Sequence, residues 1–283
     1  MKLGRTICFC LALGAASAAA QAQNVRKTAE GTMEVTGSVE VNPDGSLHGY
    51  ALDQSDKLPP SVREVIDRTM THWSFRLSAP SADVVKSQMN LRLLAKPAGD
   101  GTFTVSVASA WFGTRDTVHA DYVSYKDHSV VPRYPPAVVN ARVSGAVYLM
   151  LRIGRDGTVQ EAVAEQVNLD QYGSKSEMNW LRKQLADASI AAAKTWTYNL
   201  PTQGKAQDDP YFVVRVPVVF SLLDRGREKT QPYGAWHAYI PGPRETPPWA
   251  SPTLAAQAPD AVPDGAMQGG DAGLRLATPL GGS

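Results

Sequence analysis

One pattern is written twice along this chain: a glycine-punctuated β-hairpin, a helix running into Trp-x-aromatic, and an alternating strand. The first copy runs Gly37-Ser38-Val39-Glu40-Val41, turns at Asp44-Gly45, and reaches Trp73-Ser74-Phe75 and a strand over 84–95. The second runs Gly145-Ala146-Val147-Tyr148-Leu149, turns at Asp156-Gly157, and reaches Trp196-Thr197-Tyr198 and a strand over 211–222. A duplication of this size sets the architecture before any single residue is interpreted. It predicts an α+β chain of two tandem small antiparallel sheets, each packed against helices.

Each copy has a definite grammar. In the second, Val143, Gly145, Val147, Leu149, Leu151 and Ile153 fall on alternate positions, as in a strand with one buried face. Arg155-Asp156-Gly157 supplies the turn, and 158–167 returns as the partner strand. Ser174-x-x-Glu177 has the form of a capping box, and Leu181, Leu185, Ala188 and Ala192 give a helical stripe over about 178–195. The last strand carries Phe212, Val214, Val216, Val218, Phe220 and Leu222 on one face and Arg215, Pro217 and Ser221 on the other. Pro217 has no N–H for a ladder, which predicts an edge position for at least part of that strand.

The first copy is shorter. Val35, Val39 and Val41 alternate up to Pro43-Asp44-Gly45, and Pro59 and Pro60 open a helix with Ser61-x-x-Glu64 as its capping box. Val62, Val65, Ile66, Thr69 and Trp73 form its inward face. After 84–95 a turn over 97–101 leads into an extra strand with Phe103, Val105, Val107 and Trp111 on one face.

The ends differ from the core. Residues 1–22 hold Lys2 and Arg5, an apolar run over 7–20 and Ala20-Gln21-Ala22, the form of a cleaved signal peptide, so the chain is expected in the periplasm. An uncleaved signal would leave it membrane-anchored, although 7–20 is shorter than the roughly 20 residues a spanning helix needs. Cys8 and Cys10 are the only cysteines and lie in that run, so a cleaved chain would have no disulfide or thiolate chemistry. A net charge of +1 without a basic cluster argues against nucleic acid. Residues 224–283 are rich in Pro, Gly and Ala and lack an apolar period, which predicts a disordered tail despite Trp236, Tyr239 and Trp249.

Taken together, Pro132-Arg133-Tyr134-Pro135, Gly145-x-Val147, Asp156-Gly157-x-Val159, an Ala-rich helix into Trp196, and Val216-Pro217-Val218-x-Phe220 resemble the C-terminal domain of the TonB and TolA energy transducers. The resemblance covers 132–223; over 31–113 it is looser, with no Tyr-Pro lead-in, and 114–131 is read as a linker. It implies a periplasmic interaction module whose edge strand pairs with an extended segment of an outer-membrane receptor, as in TonB-dependent transport. The matching edge here is Tyr211, Val213, Arg215 and Pro217. Tyr134, Pro135, Gly145, Asp156, Gly157, Trp73 and Trp196 are read as structural. With the signal cleaved as expected, the chain would depart from the transducers in having no anchor, and no Pro-rich linker stands ahead of the domain, which puts energy transduction in doubt.

No catalytic motif is present, and no cofactor or metal is expected. His48, His72, His119, His128 and His237 lack metal-ligand spacing; only His119 and His128, with Asp116, Asp121 and Asp127, form a group to weigh for a hydrolytic or metal site. Two readings stand. One is an adaptor that binds an envelope protein by strand augmentation. The other is a scaffold or accessory protein whose duplicated domains pack together and cover their edges. Unprotected edges would also favour a homodimer.

Overall fold

The computed structural model describes residues 30–77, 80–99, 102–113, 122–204, 206–224, 227–228, 232–269 and 274–280. The expected signal segment 1–22 lies outside the described residues. No helix among them is long and apolar enough to cross a membrane.

The first repeat comprises β1 (Glu30–Val41), β2 (Leu47–Leu52), α1 (Pro60–Met70), β3 (Phe75–Arg76), β4 (Val85–Gly99) and β5 (Thr102–Gly113). After β6 (Ser124–Asp127) and the short helix α2 (Pro136–Asn140), the second comprises β7 (Gly145–Gly154), β8 (Val159–Leu169), α3 (Lys175–Ala193), β9 (Thr197–Asn199) and β10 (Tyr211–Phe220). The remaining pieces are β11 (Leu223–Asp224), β12 (Arg227–Glu228), β13 (His237–Tyr239), α4 (Pro252–Ala256), β14 (Gln268–Gly269) and β15 (Arg275–Leu276). Every ladder among the described residues is antiparallel.

The duplication holds at the level of single hydrogen bonds. In each repeat the hairpin turn is an Asx turn. The Asp44 carboxylate accepts from Ser46 N at 2.9 Å, and that of Asp156 from Thr158 N at 3.0 Å. The Ser46 hydroxyl and then its amide hold the Asp44 carboxyl below the usual carboxylate range, and the Thr158 amide and then its hydroxyl do the same for Asp156. The glycine that follows has a left-handed backbone, φ 86° at Gly45 and 79° at Gly157. Its carbonyl accepts from the aromatic residue after the tryptophan, Phe75 N in one repeat and Tyr198 N in the other, both at 2.8 Å. A Cβ at Gly45 would lie 2.3 Å from the Phe75 carbonyl oxygen, and one at Gly157 would lie 2.5 Å from that of Tyr198. Only glycine fits this junction. Aligned on these turns, Gly37 and Gly145 are four residues out of step, so the two glycines that the sequence pattern equates are not equivalent.

Strand order repeats as well. The first sheet contains the order β2-β1-β4-β5 and the second runs β8-β7-β10-β14, so β5 beside β4 and β14 beside β10 fill the same slot. Val35, Val39, Val41, Leu91 and Leu93 bury one face of the first sheet under Val62, Ile66 and Met70 of α1. Each such side chain contributes about 1.5–3 kcal/mol through lost apolar exposure. The helix begins at Pro60 with Pro59 as N-cap and no side-chain cap, so the Ser61 capping box is not formed. In the second repeat the Ser174 hydroxyl does accept from Glu177 N, at 3.2 Å. There Met178, Leu181, Leu185 and Ala192 of α3 cover Val147, Leu149, Val214 and Val216.

Two β-bulges reverse the faces expected from alternation, because one extra residue shifts every later side chain to the other side. In β5 the register passes from Ser109 opposite Arg92 to Val107 opposite Leu93, leaving Ala108 extra. Trp111 therefore leaves the face of Val107 and packs with Ala261, Val262 and Ala266 behind the sheet. Phe103, placed on the same buried face by the sequence, is 62% exposed. In β8 Gln166 lies opposite Tyr148 and Ala164 opposite Leu149, so Glu165 is the extra residue.

The tail is not disordered over its described residues. β13 pairs Glu30, Gly31 and Thr32 with Tyr239, Ala238 and His237; Ile240 bridges Leu169; β14 pairs with β10, and β15 with β3. Tyr239, Ile240, Leu254, Ala261 and Val262 are buried. A stretch without an apolar period still orders when isolated side chains and backbone groups find sites on an existing surface. The expected linker is likewise shorter than 114–131: residues 114–121 lie outside the described set, and β6 pairs with β9.

Candidate interaction edge

The strand expected to bind partners is β10. One of its edges is fully laddered to β7, from Tyr211 opposite Gly154 to Phe220 opposite Gly145. On the other edge, among the described residues, β14 pairs with Val214 and Arg215. The edge expectation is thus met in part, and Pro217 falls where no second ladder is described.

The four side chains expected to meet a partner do not act alike. Tyr211 is exposed at the strand start, with the Arg152 guanidinium 5.5 Å from its ring centre. Val213 is half-buried, whereas Arg215 and Pro217 are buried, so these last two are corrections to the expected contact set. Val219, which the sequence does not single out, is 44% exposed.

Arg215 is covered because it organises the tail. Its Nε donates to Glu165 Oε2 at 2.7 Å and its Nη2 to Oε1 at 2.8 Å, a bidentate pair with both side chains 0% exposed. The same guanidinium donates from Nη1 to Gln268 Oε1 at 2.8 Å and from Nη2 to the Leu254 carbonyl at 2.6 Å. Arg244 adds a second cation, its Nη2 donating to Glu165 Oε1 at 2.6 Å. A buried carboxylate between two guanidiniums is tolerated because every charge has a close partner. Glu165 is the extra residue of the β8 bulge, and its carboxylate lies on the Arg215 side of the sheet.

The tail wraps this sheet. Glu245 N donates to the Glu165 carbonyl at 2.8 Å and Gly242 N to Asn168 Oδ1 at 3.1 Å along the β8 edge. Residues 254–257 cross over Arg215, and Gln268–Gly269 closes on β10. A second buried pair ties the tail to the first repeat. Arg92 Nη2 lies 2.6 Å from Asp260 Oδ2, and Arg92 Nη1 donates to Tyr239 Oη at 2.6 Å. Burial raises the Asp260 carboxyl above its usual range, with Arg92 opposing that shift.

The residues read as structural are placed as follows. Trp73 is buried and meets Phe75 and Phe112 edge-on at 6.3 and 6.1 Å. Trp196 is buried and its indole N–H donates to the Val130 carbonyl at 2.8 Å. The Tyr134 hydroxyl donates to the Val143 carbonyl at 2.6 Å, and Pro135 is the N-cap of α2. A Cβ at Gly145 would lie 2.5 Å from the Asn168 carbonyl oxygen. In the histidine group, His119, Asp116 and Asp121 lie outside the described residues, and His128 stacks on Tyr125 at 4.1 Å.

Glu165, Arg244 and Gln268 were missed. A sequence signal for the first does exist: the packed residues of β8 change phase from Ala162 and Ala164 to Val167 and Leu169, which marks a bulge at 165. Nothing local marks Arg244 or Gln268. No described protein family, curated protein or solved structure matches the chain.

Proposed function

We propose that the protein is a non-enzymatic interaction module of the bacterial envelope, similar to the C-terminal domains of TonB and TolA, that binds an extended partner segment along the outer edge of β10. The observation that carries this reading is the pairing of β10 with β14: an extended chain already adds to that edge as an antiparallel strand, and the rest of the edge has no ladder partner among the described residues. Main-chain hydrogen bonds supply the attraction in such a mode, and alternate side chains the selectivity. Export by residues 1–22 belongs to the same proposal.

A photo-crosslinking residue at Val219, with one at Val139 on α2 as control, tests it in intact cells; both sites are exposed. Crosslinks confined to Val219, and lost in a folded Val213→Pro variant, support augmentation. Val213 has the strand parity of Pro217, whose missing N–H this fold tolerates, so the substitution spares the β7 ladder. Crosslinks unchanged by Val213→Pro refute it.

The tail favours a second reading. It pairs with β1, β3 and β10, supplies Asp260 to the buried Arg92 pair and covers the Arg215–Glu165 pair, as an accessory protein with self-covered edges would. A partner bound elsewhere, with β10 amides protected alike in the free and bound states, would favour it.

A further inference from the structure

We propose that the C-terminal segment around Gln268–Gly269 is a placeholder for the partner strand. It competes in cis for β10 and shows what the slot reads: an extended segment presenting a hydrogen-bond acceptor side chain, Gln, Glu or Asp, opposite Arg215. The inference rests on the β10 reading above.

Three observations carry it. First, in the first repeat the equivalent slot is filled by β5, whose pairing with β4 runs from Gly99 opposite Thr102 to Gln88 opposite Gly113. In the second, the described residues that fill it are Gln268 and Gly269. Among the described residues, Val216 to Phe220 have no partner on this edge, so a longer incoming strand gains ladder bonds there.

Second, the recognition chemistry is side-chain specific. Gln268 stands directly opposite Arg215, accepts from its Nη1, and donates from Nε2 to Gln257 Oε1 at 2.7 Å. An incoming acceptor at this position would preserve the Arg215 bond, whereas an apolar residue would leave a buried guanidinium N–H without a partner. A carboxylate there would make a charge-assisted pair.

Third, the tail is held by a latch outside the slot. Arg244 is part of the tail, its side chain is 31% exposed, and it bonds to Glu165 and to the Leu254 carbonyl. Glu165 keeps Arg215 when Arg244 is lost, so the latch can weaken without unpairing the sheet's own charges. A tethered competitor acts at a high effective concentration, so loosening it raises the apparent affinity of any strand in trans.

The test uses the full chain, the Arg244→Gln variant, and a fluorescent synthetic peptide of residues 263–270 as probe, read by polarisation and by amide exchange with mass spectrometry. The expected result is about fivefold faster exchange over 254–269, unchanged exchange in β1 and β4, and about fivefold tighter peptide binding than to wild type. Gln268→Ala, which leaves all charges in place, should act in the same direction. Wild-type exchange over 254–269 in both variants overturns the latch. Faster exchange without tighter peptide binding overturns the competition. Tighter binding that a folded Arg244→Gln/Val213→Pro double variant retains places the peptide elsewhere, and the β10 reading then falls instead.

Discussion

Glu165→Gln should be among the most damaging single changes in the second repeat, and its cost can be set against that of Arg244→Gln. The Glu165 carboxylate accepts from Arg215 at 2.7 and 2.8 Å and from Arg244 at 2.9 and 2.6 Å. Neutralising it leaves the Arg215 guanidinium, 0% exposed, without a counter-charge. Removing one member of a buried pair costs about 3–5 kcal/mol, because the surviving ion stays desolvated. Arg244→Gln leaves the bidentate Arg215–Glu165 pair intact and removes a cation that solvent partly screens, so it should cost about 1 kcal/mol. Urea unfolding followed by circular dichroism, with the slopes compared to ensure that the unfolded states match, measures both. Equal costs for the two variants, or a Glu165→Gln cost below about 1.5 kcal/mol, would refute the claim that Arg215 depends on this carboxylate.

Three further outcomes follow from the geometry. Gly157→Ala should destabilise by more than the ~1–2 kcal/mol of a left-handed alanine, since its Cβ meets the Tyr198 carbonyl, whereas Gly265→Ala, at φ 73° with open space around it, should cost no more than that strain; thermal unfolding of the two compares them. Trp111→Ala should cost about 3–5 kcal/mol and speed amide exchange over 259–266, because its ring holds Ala261, Val262 and Ala266; unchanged exchange there would contradict the bulge assignment. Burial lowers the His237 imidazole below its ordinary value of 6.5, with the Ala235 carbonyl opposing the shift and Arg92 adding to it. Its contribution to stability is therefore complete above pH 6.5 and is lost as pH falls through the lower folded value. Chemical unfolding between pH 7.5 and 5 should show that loss, and His237→Asn should flatten it.

Local chemistry made the repeats legible. Asp44-Gly45 and Asp156-Gly157 encode their turns through an Asx hydrogen bond and a positive φ, and Trp73 and Trp196 fill the junction where chain spacing brings helix to strand. The alternation in β1, β7 and β10 and the stripe on α3 report their buried faces because each lies on one regular element. The sequence by itself therefore determined two antiparallel sheets with helices on one face, and an unusual last strand. What covers the other faces was decided only in three dimensions. A bulge at Ala108 turns Trp111 outward, the Glu165 carboxylate meets Arg215 across the sheet, and Arg92 and Arg215 then wait for Asp260, Gln268 and the Leu254 carbonyl far along the chain. Those contacts are single groups matched across long sequence separations. They leave no period to read, so a tail that looks like a solvated spacer becomes the strap across both repeats.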